Sequence, residues 1–218
     1  MALLISVLEQ GLIYAIMAFG IYITYKILDV ADLTVDGSMC TGGAVSIMMM
    51  LNGYNVWVSL LAAFIAGMLA GLVTGIFHTF MGIPAILAGI LTQLALYSIN
   101  LKIMGRANQA ISVMNYDLLV SLRNVKNVPF YQNSIFVVAI FCIVIIGILY
   151  WFFGTELGCS LRATGCNPNM SRAQGINTNF NIVLGLMISN GLVALASALC
   201  SQYQGFADIN MGRGAIVI

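Results

Sequence analysis

The sequence predicts an all-α polytopic membrane protein with about six apolar segments, one short broken or re-entrant half-helix and an internal repeat. Three observations carry this expectation. Apolar side chains make up 61% of the 218 residues and charged ones only 7%, whereas about a quarter of an average soluble domain is charged. No Asp, Glu, Lys or Arg occurs between Asp36 and Lys102, a stretch that holds several spans of roughly 20 residues each. A nine-residue pattern of apolar, Ala, Asp, apolar, polar, apolar and a small-residue turn occurs at residues 30–38 and again at 206–214. The formal net charge of +1 argues against nucleic acid as a partner, since phosphate neutralisation needs a clustered basic surface. A disordered tail and a disulfide-stapled secreted domain are excluded by the same composition.

The first apolar segment covers residues 8–28. Its first charge is acidic, Glu9, and the run continues through Tyr25 without an Ala-x-Ala pattern, so it reads as a retained span and not a cleaved signal peptide. Further segments fall at 38–52, 55–78, 83–103, 134–153 and 182–203. Residues 38–52 form a helix of only about 22 Å, against a hydrocarbon core of about 30 Å. They follow Asp29, Asp32 and Asp36 directly. Irregular backbone at membrane depth is tolerated when buried in protein or lining a cavity, which suggests a half-helix capped by Asp36 or Ser38.

Ala63, Gly67, Gly71 and Gly75 recur every fourth residue in segment 55–78, a stripe that lets another helix approach closely. Segment 83–103 opens with Pro84 in its first turn, where the missing N–H costs nothing. Its Thr92, Gln93, Ser98 and Asn100 either bond neighbouring helices or line a pathway. The lone His78 and the scattered Cys40, Cys142, Cys159, Cys166 and Cys200 show no ligand spacing and read as packing residues. No catalytic residue, cofactor site or metal site is expected.

Two segments are extramembrane in character. Residues 104–133 hold Arg106, Asp117, Arg123, Lys126 and several asparagines, with room for a short lateral helix or strand. Residues 154–181 contain a two-turn helix at 168–174, because Asn167 suits the N-cap, Pro168 the first helical position and Gly175 the residue just past the end. A helix that short is unstable alone and must be held against the rest of the protein or a partner. The repeated pattern places Asp32, Thr34, Asp36, Gly37 and Ser38 in one copy opposite Asp208 and Asn210 in the other. Paired broken segments at corresponding places in two halves point to the central pathway of a transporter. The second copy stops in mid-element at Ile218, so the expectation is one transmembrane permease domain over 1–218, truncated at its C-terminal side.

The run Leu161-Arg162-Ala163-Thr164-Gly165-Cys166-Asn167-Pro168-Asn169-Met170-Ser171-Arg172-Ala173-Gln174-Gly175-Ile176 resembles the cytoplasmic coupling loop of bacterial ABC importer permeases of the branched-chain amino acid and ribose class. Residues 31–38 and 96–106 resemble the subgroup labelled tryptophan/tyrosine-type or uncharacterised ABC transport permease. The likeness covers essentially the whole chain. It implies a multi-pass subunit of the bacterial inner membrane, surrounded by lipid, that dimerises, binds one cytoplasmic ABC ATPase subunit per copy and receives a small solute, an amino acid by the subgroup, from an extracytoplasmic binding protein. Leu161, Arg162, Gly165, Asn167, Pro168, Met170, Arg172, Ala173 and Gly175 would form the ATPase-coupling loop, and the two repeated segments would line or cap the translocation path.

The chain has no Gly-rich phosphate loop of its own, so ATP would be hydrolysed in the partner and energy would arrive mechanically. With 154–181 inside and 38–52 not crossing, 104–133 falls outside and the N-terminus inside; if 38–52 crossed, the first copy would be inverted relative to the second. The positive-inside rule points the other way for the two loops. An ion-coupled secondary transporter using Asp32, Asp36 and Asp208, and a membrane scaffold that transports nothing, are the competing functions.

Overall fold

The computed structural model describes residues 2–111 and 134–214. The described residues are helical almost throughout: α1 (Ala2–Tyr22), α2 (Thr34–Leu51), α3 (Val56–Thr79), α4 (Ala85–Met104), α5 (Ser134–Gly154), α6 (Glu156–Cys166), α7 (Pro168–Ala173) and α8 (Thr178–Gln204). Two three-residue strands, β1 (Asn108–Ala110) and β2 (Phe206–Asp208), pair antiparallel with Asn108 opposite Asp208 and Gln109 opposite Ala207. Among the described residues five helical stretches are long and apolar enough to cross a membrane: Ser6–Ile27, Val56–Thr79, Ala85–Met104, Ile135–Gly154 and Thr178–Gln204.

Helix α8 is the central post, and glycines on three helices let their backbones reach it. A Cβ at Gly67 or Gly71 of α3 would overlap the carbonyl of Asn190 or Leu186, and one at Gly42 of α2 the carbonyl of Ala194. On α1, a Cβ at Gly20 would stand 2.8 Å from the Ser189 carbonyl, and the Ser189 hydroxyl donates to the Gly20 carbonyl at 2.7 Å. The small-residue stripe of α3 is therefore a packing seam, as its spacing predicts. Outward faces carry Ile143, Ile148, Tyr150 and Trp151 of α5 and Leu61 and Leu69 of α3, all exposed, which suits an apolar solvent.

The ends of α8 define two ends of the molecule. Its first turn lies near α6 and α7, and one turn on a Cβ at Gly75 of α3 would stand 3.0 Å from Val183. At its other end Tyr203 donates to the Ser6 carbonyl at 3.3 Å, and β2 comes next in the chain. Helix α1 thus starts beside the end of α8 and runs toward the loop end, antiparallel to it. This corrects the expected topology: the N-terminal turn lies at the end opposite residues 154–177. The physical reason is the stretch after α1. Helix α1 continues as a π-helical turn, Ile23–Ile27, in which Leu28 N–H bonds the Ile23 carbonyl at 3.0 Å and Val30 N–H the Thr24 carbonyl at 3.0 Å. Asp29 takes the left-handed conformation (φ 54°), and the chain turns back into the bundle.

Helix α2 then starts at Thr34, whose hydroxyl meets that of Thr74 at 2.7 Å, and it ends at Leu51 in a second core cluster with Val56, Met104, Ile111 and Ala207. Its 18 residues are longer than the expected 38–52 and cover about 27 Å. With its lead-in it returns across the bundle, so the first sequence copy is inverted relative to the second. This is the arrangement that a crossing second segment entails.

Candidate functional site

Asp32 governs the break ahead of α2. Its Oδ1 accepts the Thr34 backbone N–H at 2.9 Å, and its Oδ2 accepts from Asn190 Nδ2 of α8 at 2.6 Å. Asn190 is fully buried and Asp32 only 8% exposed, so this short buried bond ties the start of α2 to the middle of α8. The cap expected of Asp36 or Ser38 is not made by either. Because the Asp32 carboxylate turns the chain two residues on, the helix begins earlier, with Leu33 at the N-cap and no side-chain cap bond. Asp36 falls in the first turn, favourable to the helix dipole, and Ser38 bonds back to the Val35 carbonyl at 3.1 Å.

The second copy repeats the device. Asp208 Oδ1 accepts the Asn210 backbone N–H at 2.7 Å, as Asp32 does for Thr34. The two copies differ in the elements they build: the second makes β2 and a turn where the first starts a helix. They also meet, since a Cβ at Gly212 would fall on the Asp36 carbonyl. Beside this contact is a cavity of about 380 Å³ lined by Asp36, Gly37 and Cys40 of α2, Gln93, Leu94, Tyr97 and Asn100 of α4, and Ile209 and Arg213. Of the polar residues of α4, Thr92 joins Thr74 at 3.0 Å, while Gln93 and Asn100 face the cavity. Thr92 thus bonds a neighbouring helix, as one of the two sequence readings has it.

At the loop end, Asn167 Oδ1 accepts the Met170 N–H at 3.0 Å, Pro168 occupies the first turn and Gly175 has φ +83°. Helix α7 is therefore bounded as its residues predict, ending at Ala173. The preceding residues form α6, a helix that the sequence pattern does not announce. Thr155 caps it, accepting from Gly158 N–H at 3.4 Å. Leu161 of α6 is in the main core, and Gly165 lies so close to Ile27 of the π turn that a Cβ would overlap its carbonyl.

Two side chains hold the loop to α8's first turn: Asn181 Nδ2 donates to Thr164 Oγ1 at 2.9 Å, and Arg172 Nε donates to Thr178 Oγ1 at 2.8 Å. Arg162 is exposed but turned inward along the loop, donating to the Phe153 carbonyl at 2.9 Å. Met170 points outward with 60% of its surface exposed. Asn190, Asn181 and Thr178 are the positioning residues that sequence reasoning missed. Their only signal is polar side chains inside or at the mouth of an apolar run.

A bundle of helices long and apolar enough to span a membrane, with a broken segment and a solute-sized cavity beside it, is an architecture that suits a membrane permease. The family model described as branched-chain amino acid transport system, permease component, matches residues 3–218, and the chain belongs to that family. A tyrosine transport system permease protein of Clostridioides difficile (strain R20291) is 43% identical over 216 residues, covering 99% of this chain and 70% of the relative. An uncharacterized protein of Rickettsia prowazekii (strain Madrid E) is 38% identical over 220 residues, covering 100% and 74%. More distantly, a fructose import permease protein of Bifidobacterium longum (strain NCC 2705) is 28% identical over 196 residues, covering 88% and 53%. No solved structure matches. The chain is thus a permease component of an ABC transport system for small solutes and not itself an enzyme.

Proposed function

We propose that the chain is the membrane-spanning subunit of an ATP-driven amino-acid importer of the bacterial inner membrane, working as a homodimer. A cytoplasmic ATPase seats on residues 154–181, and an extracytoplasmic binding protein delivers solute at the end that carries β1 and β2. The single observation that carries this reading is the braced loop. Helices α6 and α7 are tied to the π turn by Gly165 and to α8 by Asn181 and Arg172, yet present Met170 outward. A rigid lever with an exposed apolar knob suits a docking surface; a merely solvated loop would need neither brace nor knob.

The route for motion is short. Displacement of α6 moves the π turn and the first turn of α8, and both reach the Asp32–Asn190 bond, hence the start of α2 and the cavity beside it. Asp32, Thr34, Asp36, Gly37, Ser38, Asp208 and Asn210 belong to this gate, with Asp32 and Asp208 serving the backbone and Asp36 and Gly37 facing the path. An amino acid as solute is supported by the relative named for tyrosine transport.

The test uses proteoliposomes holding the complete complex and binding protein. Uptake of radiolabelled tyrosine or leucine should require enclosed ATP and persist when Na⁺ and H⁺ gradients are collapsed. Uptake driven by an ion gradient without ATP would instead establish the secondary-transporter mechanism.

A further inference from the structure

The cavity where the two repeated segments meet holds more polar capacity than packing requires. Asp36 Oδ1 and Asn100 Oδ1 are both buried atoms without a hydrogen-bond partner. Asn100 is wholly buried, and its amide nitrogen is directed to the Gly37 carbonyl at 3.5 Å. Buried acceptors left open are costly, and both belong to residues that line the cavity, so a donor brought there would relieve them. Arg213 also lines the cavity, in the turn whose Gly212 lies on the Asp36 backbone. A guanidinium there disfavours a bare cation and suits a carboxylate, which it can grip bidentately. Tyr97 and Leu94 supply an aromatic and an apolar wall, and about 380 Å³ lies within the ~300–1,000 Å³ of small-molecule sites.

We propose that this cavity is a solute station that reads the zwitterionic head of an α-amino acid, taking the ammonium on Asp36 and Asn100 and the carboxylate on Arg213. The inference rests on the amino-acid reading above and adds that selection occurs within the membrane subunit itself. One charge comes from each sequence copy, so the station exists only while the two copies are in contact, and a gate that separates them releases the solute.

Binding of three probes to the complete complex in lipid nanodiscs tests it: tyrosine, tyramine, which lacks the carboxylate, and 3-(4-hydroxyphenyl)propanoate, which lacks the ammonium. Asp36→Asn should weaken tyrosine and tyramine by roughly tenfold or more, the scale of one charge-assisted bond, and leave the propanoate unchanged. Arg213→Gln should weaken tyrosine and the propanoate and leave tyramine unchanged. Each variant is its own folding control, because it keeps its grip on the probe that lacks the affected group.

Equal loss for all three probes, no change for any, or no binding to the unmodified complex would overturn the station. Tyrosine uptake by the unmodified complex separates the two levels. Uptake without the group-specific pattern removes the station and leaves the importer, whereas absence of uptake for every amino acid removes the reading beneath it.

Discussion

Gly165 of α6 lies against the backbone carbonyl of Ile27, closer than any side chain at residue 165 would allow. The contact joins the loop of residues 154–181 to the point where α1 gives way to its π turn, five residues ahead of Asp32. Interior π turns are recurrent features of functional sites; here the widened turn frees the chain to reverse at Asp29.

Gly165→Val should force α6 off the π turn at a cost of about 1–3 kcal/mol, the usual range for overpacking. The protein should still insert, since residue 165 itself lies outside the spanning stretches. Solute-stimulated ATP hydrolysis by the complex should fall toward the unstimulated rate, which a coupled-enzyme assay reads directly. Stimulation at the normal level would show that this contact transmits nothing.

The Asp32–Asn190 bond at 2.6 Å sets a ranking. Asn190→Ala leaves Asp32 Oδ2 buried without this partner and should cost about 2–3 kcal/mol. Asp32→Asn keeps an oxygen for the Thr34 N–H and should cost only about 1 kcal/mol. Thermal melting in detergent should therefore order the proteins as unmodified, Asp32→Asn, Asn190→Ala; the reverse order of the two variants would contradict the assigned bond.

Helix α3 offers a paired comparison of glycines. Gly67→Leu drives a side chain into the Asn190 carbonyl and the Ala194 methyl, and should reduce folded protein in the membrane severely. Gly11→Leu on α1 meets nothing within 4 Å and should be tolerated. Similar yields for both by fluorescence size-exclusion chromatography would refute the α3–α8 seam.

Much of this was legible where one helix turn decides the outcome. Asn167, Pro168 and Gly175 specify α7 by local capping rules, and the spacing of Ala63, Gly67, Gly71 and Gly75 gives the seam. Helix α6 was not legible, because it carries Gly158 and Gly165 and owes its place to Leu161 in the core and to the Ile27 contact. The α2 cap was missed by a few residues, since Asp36, Ser38 and Asp32 are all acceptable capping types and only the fold selects Asp32. The path of the chain after α1 was misjudged for the same reason: the partner that fixes Asp32 is Asn190, 158 residues away in sequence.

The inverted arrangement of the two copies predicts sidedness. An epitope tag fused ahead of Met1 and a cysteine at Asn52, exposed between α2 and α3, should both be reached from outside intact cells. Asn169→Cys, on a background without the five native cysteines, should react with an impermeant thiol reagent only after permeabilisation. A tag protected from external protease would restore the topology in which residues 38–52 fail to cross.

The central claim is that the braced loop seats the ATPase, and Met170 tests it most directly. It is 60% exposed, and its side chain contributes nothing to the capping bond that its backbone N–H donates to Asn167, so Met170→Asp should leave the permease folded. The measurement is equilibrium binding of the purified ATPase to the permease in nanodiscs. The account predicts a loss of affinity on the order of tenfold to a hundredfold for Met170→Asp, as for an apolar anchor in an interface, with an unchanged permease melting temperature. Unchanged affinity would place the docking surface elsewhere and contradict the account.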